Sequence, residues 1–206
     1  MRFIRHILAA LALLCAAQAH AEVVAGRDYK LLNPPQPTAS KKIEVLEFFF
    51  YGCSHCYHLH PLLDAWDRKK PKDVELQYVP VVFHESAEPM ARAFYALEAL
   101  GQRGRLHDAL FKALNVQGLD LRDEESITGF VAQHGVDAAK FGAAYNSFSM
   151  SSRIARSNQM VQGYAVRGTP TIAVDGKYVI SGLLPEETIR VLDEVIKIAR
   201  KERSKR

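Results

Sequence analysis

Between residues 43 and 82 the chain reads as a strand, a helix and a second strand, and this order constrains the fold more than any other stretch. Ile43-Glu44-Val45-Leu46-Glu47-Phe48-Phe49-Phe50 is β-branched and aromatic enough for a buried strand. Tyr51-Gly52 ends it. From Cys53 towards Arg68, Leu59, Leu62, Leu63 and Trp66 recur at helical spacing, with Pro61 inside the pattern predicting a kink. Residues 74–82 alternate as the next strand. Strand–helix–strand implies parallel pairing with a right-handed crossover, and so an α/β fold.

The rest of the chain adds to that unit. Pro34, Pro35 and Pro37 form an extended lead-in after a short strand near residues 29–31. Beyond residue 85 the pattern turns helical. Helices are predicted around residues 91–100, 106–114, 125–134, 138–145 and 150–161, punctuated by Gly101, Gly104, Gly118 and Gly135. That block is too long for a crossover and predicts an all-helical insertion with its own core over residues 85–164. Residues 22–84 and 165–206 would then form the α/β domain. Thr171-Ile172-Ala173-Val174 and Lys177-Tyr178-Val179-Ile180 flank Asp175-Gly176, a strong hairpin signal. Pro185-Glu186-Glu187 opens a last helix with proline and acids in its first turn. The basic end, residues 201–206, reads as a solvated tail.

The first 21 residues stand apart. Arg2 and Arg5 precede an apolar run over residues 7–17, too short to span a bilayer, and Ala19-His20-Ala21 fits a small-x-small cleavage pattern. Residues 1–21 are therefore expected to be a secretory signal peptide. An uncleaved anchor fits the short run less well, and Leu14 before Cys15 argues against a lipoprotein signal. The chain has 206 residues, of which 48% are hydrophobic and 24% charged, which excludes disordered and collagen-like classes. A net charge of +4 without a domain-wide basic stripe gives no indication of nucleic-acid binding.

Of the three cysteines, Cys15 would leave with the signal, and Cys53 and Cys56 would remain. An exported protein meets an oxidising compartment, where disulfides persist. A bridge closing a four-residue loop adds only about 2 kcal/mol through loop entropy, so this pair suits chemistry better than stapling. Residues three apart at a helix start share a face. Cys53 would face unpaired N–H groups at the positive end of the helix dipole, which favours a thiolate, and a protonated or donating His55 would add to that. A zinc site using Cys53, Cys56, His58 and His60 is the competing reading. Against it, the two histidines are two apart on a helix and point to different sides.

Two further positions carry chemistry. Glu47 lies in an otherwise apolar strand and by alternation shares a side with Val45 and Phe49. Buried there, it would serve as a proton acceptor for the cysteine pair; at a sheet edge it would simply reach solvent. Pro170, in Gly168-Thr169-Pro170-Thr171, stands at the first position of a strand, where proline is tolerated.

These residues resemble the DsbA family, the periplasmic thiol:disulfide oxidases of Gram-negative bacteria. The matching segments are Val45-Leu46-Glu47-Phe48-Phe49, Gly52-Cys53-Ser54-His55-Cys56-Tyr57, the helical insertion, Gly168-Thr169-Pro170-Thr171 and Ile180-Ser181-Gly182. The match runs from about Asp28 to Ile198. The resemblance implies a thioredoxin fold, a mixed sheet flanked by helices, interrupted by a helical domain. It makes Cys53 the nucleophile and Cys56 the resolving cysteine of a redox-active disulfide that needs no other cofactor. It makes Pro170 a cis proline facing the disulfide, Thr169 a backbone partner for substrate, and Glu47 the buried acid. Reduced exported proteins would be the substrates, and a quinone-linked membrane partner of the DsbB type would reoxidise the pair. The family's best-known pattern has proline where this chain has Ser54, a residue that tunes the thiol and whose hydroxyl is able to donate to a Cys53 thiolate. A disulfide isomerase or reductase of the same fold is the nearest alternative. Isomerases of the DsbC type carry an N-terminal dimerisation domain, whereas about 20 residues would precede the main strand here, which favours a monomeric oxidase. A metal-binding or chaperone-like module built on the Cys–His cluster is the alternative of another class.

Overall fold

The computed structural model describes residues 22–38 and 40–205, so the expected signal peptide and Cys15 lie outside the described residues. β2 (Ile43–Phe49) is followed by α1 (Ser54–Asp67) and β3 (Val74–Pro80). β2 and β3 pair in parallel from Ile43↔Val74 to Phe49↔Pro80, as the strand–helix–strand order requires. α1 runs unbroken through Pro61, whose side chain is exposed. β1 (Lys30–Leu31), β4 (Thr171–Val174) and β5 (Tyr178–Ser181) complete a mixed sheet in the order β1-β5-β4-β2-β3. β4 runs antiparallel to both β2 and β5. This is a thioredoxin-like arrangement, with β2 in the interior of the sheet.

Between β3 and β4 stand α2 (Glu88–Ala99), α3 (Arg103–Asn115), α4 (Glu124–Gln133), α5 (Ala138–Tyr145) and α6 (Phe148–Gly163). α7 (Pro185–Arg203) closes the chain, with Pro185 in its first turn and Glu186 and Glu187 beside it. On one face of the sheet, Val45, Ile172 and Ile180 pack against Leu59 and Leu63 of α1 and Val191, Leu192 and Val195 of α7. On the other face, Leu46 and Phe48 meet Tyr164 and Val166.

Contrary to the expectation from its length, the helical segment does not close a core of its own. Its buried cluster takes in Phe49, Tyr51 and Cys56 from the β2–α1 unit. Phe49 sits edge-on to Tyr51, Phe94 and His107 at ring separations of 5.1, 5.3 and 5.2 Å. The long apolar strand simply has more surface than α1 and α7 cover, and the insertion covers the remainder.

The β4–β5 hairpin turns on Asp175 and Gly176, both with positive φ (54° and 71°). Glycine is needed at the second position for a further reason. A Cβ there would stand 2.1 Å from the Gln36 carbonyl oxygen, because the Gln36 N–H bonds the Gly176 carbonyl at 2.8 Å. The proline-rich lead-in is thereby pinned across the hairpin. The basic end also differs from the expected solvated tail. α7 extends to Arg203, whose Nε donates to Asp175 at 2.9 Å and whose Nη1 donates to the Lys41 carbonyl at 2.8 Å. The two acceptors are remote in sequence, so local pattern alone does not reveal them.

Candidate active site

The site forms where β2 hands over to α1. After Phe50, the chain turns so that the Cys53 N–H bonds the Phe50 carbonyl at 3.0 Å, and the Cys53 carbonyl accepts from Tyr57 at 3.0 Å. Cys53 is thus the N-cap of α1, in extended backbone conformation, at the orphaned donors of the first turn. Its side chain is half-buried, while Cys56, one turn on, is fully buried. The two thiols therefore have different surroundings despite their spacing.

Those surroundings push the two thiols apart. The Cys53 pKa falls from 9.0 to about 5, chiefly through hydrogen bonding from the Cys56 thiol, with burial opposing. The Thr169 side chain and the backbone N–H groups of Cys56 and His55 lower it further. Neither N–H closes a capping hydrogen bond onto Sγ, so they act through the field of the helix start. The Cys56 thiol is raised well above its ordinary range, by burial first and then by its bond to Cys53 and the charges of Glu47 and Cys53. One thiolate is favoured at the surface and a thiol beneath it.

Pro170 reaches this site from 114 or more residues away in sequence. The Thr169–Pro170 peptide bond is cis, and the neutral Cys53 Sγ donates to the Thr169 carbonyl at 3.2 Å. Ionisation of Cys53 removes that donor and leaves the carbonyl available to a substrate.

Glu47 is 1% exposed, on the interior strand, with both carboxylate oxygens unpartnered. The edge-strand alternative is therefore overturned. On its face of β2, Val45 belongs to the core under α1 and α7, and Phe49 to the helical core, so Glu47 sits between two apolar clusters. Burial, then the Cys53 charge, raises its pKa from 4.5 to about 8. Tyr78, opposite Glu47 in the β2–β3 register, is itself raised by burial and then by the Glu47 charge.

The remaining expected residues contribute differently. The His55 side chain is exposed, and its role at Cys53 comes through its backbone. Ser54 is exposed and its hydroxyl makes no hydrogen bond to Cys53, which corrects the expected donation: the first helical position turns its side chain to solvent. His58 is exposed, whereas His60 is buried and stacks on Phe111 at 5.2 Å. Among the described residues no three His, Cys, Asp or Glu side chains group as metal ligands.

Sequence reasoning missed two features. A groove of about 780 Å³ opens beside Thr169 and Pro170, bordered by Lys30, Leu31, His55, Arg167 and Leu184. Exposed Leu184 just before Pro185 was the available signal. Behind Cys56, Tyr51 Oη bonds His107 Nδ1 at 2.7 Å, and His107 lies 4.8 Å from the His60 ring. His107 stands on the apolar face of α3 with Leu110 and Phe111, and a histidine in such a stripe marks a buried polar contact.

The thiolate assignment gives a direct expectation. The reduced protein should show a thiolate absorbance at 240 nm that titrates near pH 5, and Cys56→Ala should move the midpoint upward by removing the largest stabilising contact. A midpoint near 9 would refute the assignment. Because the folded value lies below the ordinary one, the stability this ionisation adds is full above pH 9 and is lost as pH falls through about 5.

Comparison with known proteins places this geometry. The DSBA-like thioredoxin domain matches residues 44–192. The chain is 37% identical over 178 residues to the thiol:disulfide interchange protein DsbA of Burkholderia cepacia, covering 84% of each. The crystal structure of Pseudomonas aeruginosa DsbA superposes with a TM-score of 0.85 at 34% identity, over 88% of this chain and 97% of that one. The oxidoreductase DsbA from Xylella fastidiosa does so with a TM-score of 0.82 at 33% identity, over 87% and 98%.

Proposed function

From the premise that the chain belongs to the DSBA-like thioredoxin-domain family and is a thiol:disulfide oxidoreductase, we propose that it donates a Cys53–Cys56 disulfide to exported proteins. The observation that carries this reading is the opposed thiol pair, one half-exposed and acidic, the other buried and held neutral. A stabilised thiolate stabilises the dithiol form and makes the disulfide a stronger oxidant.

The reaction runs in two displacements. A substrate thiolate attacks Cys53 Sγ of the oxidised protein; the new substrate–Cys53 bond forms as the Cys53–Cys56 bond breaks. Cys56 leaves and takes a proton, which the Glu47 carboxyl, still protonated near neutral pH, is suited to supply before regaining one from solvent. A second substrate thiolate then attacks the substrate sulfur. Cys53 leaves as a thiolate, needing no proton because of its low pKa. Two electrons pass from the substrate dithiol to the enzyme, and the substrate gains a disulfide. On reoxidation the Cys56 proton would leave through Glu47, once that carboxyl has passed its own proton to solvent. Thr169 and Pro170 align the substrate chain beside Cys53, with His55 and Ser54 at the rim.

The same reading places the protein in the periplasm, delivered by residues 1–21, with a DsbB-type quinone-linked membrane protein to restore the disulfide. No cofactor beyond the cysteine pair is needed. Equilibration against glutathione buffers tests the direction of transfer. A potential well above the glutathione couple is expected. A thioredoxin-like potential would make the protein a reductase or isomerase acting through the same cysteines.

A further inference from the structure

The groove beside Cys53 has a one-sided charge. Of its lining residues, Lys30 and Arg167 carry cations and His55 stands with them, and among the described residues no aspartate or glutamate lines it. All three side chains are exposed, and none forms an ion pair with a described carboxylate. The two acids that follow Pro185 at the start of α7 do not line it. Glu187 is held by Arg190 at 2.6 Å, and Glu186 lines a separate depression with Trp66 and Lys69. Between the cations lie exposed apolar side chains, Leu31 at 53% and Leu184 at 76% exposure. Thr169, whose carbonyl accepts from Cys53 Sγ, also lines the groove.

We propose that this groove selects extended substrate segments carrying acidic side chains, with an aliphatic neighbour, beside the reacting cysteine. The inference rests on the thiol–disulfide reading of the site and adds the substrate class. Unpaired cations around a concave, partly apolar surface attract opposite charge and speed encounter, while a basic segment is repelled. The aliphatic residue seats against Leu31 and Leu184, where burial of apolar surface adds affinity.

Three dithiol peptides test it, identical except for Glu, Gln or Lys flanking the cysteines. Their oxidation by the oxidised full-length protein is followed by stopped flow at low and high salt. The acidic peptide should react ~10-fold faster than the basic one at low salt, with the gap shrinking as salt screens it. In the double variant Lys30→Glu, Arg167→Glu the order should reverse. Equal rates for the three peptides overturn the proposal, as does an order that survives charge reversal. Should no peptide be oxidised, the thiol–disulfide reading fails instead. Serine-for-cysteine versions of the peptides, followed by fluorescence anisotropy, then still decide the groove: equal affinity of acidic and basic forms overturns it. Self-association that closes the groove, read by sedimentation, also counts against it.

Discussion

Cys53→Ser should reduce disulfide transfer to the uncatalysed background, and Cys56→Ser should instead produce a protein that captures substrates covalently and holds them. The difference follows from where the two sulfurs sit. Cys53 is half-exposed, lies against the Thr169 carbonyl and is ionised above pH 5, so it is the sulfur a substrate can reach. Serine in its place has no accessible thiolate and cannot form the mixed disulfide. Cys56 is wholly buried and cannot meet a substrate directly. Without it, Cys53 still attacks a substrate disulfide, but no second enzyme thiol displaces the substrate. Non-reducing gels and mass spectrometry of the purified variants should find adducts on Cys56→Ser and none on Cys53→Ser. Full turnover by Cys56→Ser, measured by loss of thiols from a dithiol peptide, would remove the assignment of roles.

Glu47→Gln should make the reduced protein more stable at alkaline pH, with little change in acid. The folded pKa of Glu47, about 8, lies above its ordinary 4.5. The unfolded chain therefore gives up the proton first. The stability associated with the protonated, buried form is complete below pH 4.5 and is lost as pH rises through about 8. At about 1.4 kcal/mol per pKa unit, the loss reaches up to ~5 kcal/mol. Glutamine keeps the shape of the protonated acid and has no charge to bury, so its advantage should grow from pH 5 to pH 9. Urea midpoints of the two proteins at both pH values measure it. Curves that stay parallel across that range would mean that Glu47 is hydrated or paired when folded. The same variant should slow substrate disulfide formation near neutral pH, because the proton for Cys56 must then come from farther away.

Much of this was written locally. The strand–helix–strand order, the Asp175-Gly176 hairpin and the opening of α7 at Pro185 depend on neighbours a few residues apart, and periodicity reads such contacts well. Glu47 was legible for a related reason. Alternation set it on the same side as Val45 and Phe49, and both proved to be core residues. What pattern could not supply was anything closed over distance. The contact between Cys53 and Thr169 spans 116 positions, and that between Tyr51 and His107 spans 56. The bond of Arg203 to Asp175 likewise turned an expected tail into part of the fold. The helical insertion was visible as a run of amphipathic segments, but its reliance on Phe49 and Tyr51 was not, because an apolar strand looks the same whichever neighbour covers it.

That reliance bears on what could be inherited as a unit. A strand, a C-x-x-C turn and a helix look like a portable cassette, small enough to be copied into another α/β scaffold. Here Cys56 is buried in a cluster made largely of residues from the helices after β3, which also holds Phe49, Phe94 and Phe111. A cassette moved without them would keep both cysteines and lose the contrast between them, since the deeper sulfur would be hydrated like its partner. The insertion is therefore part of the redox couple's dielectric, and drift in its apolar residues would retune the chemistry without touching a single residue of the motif.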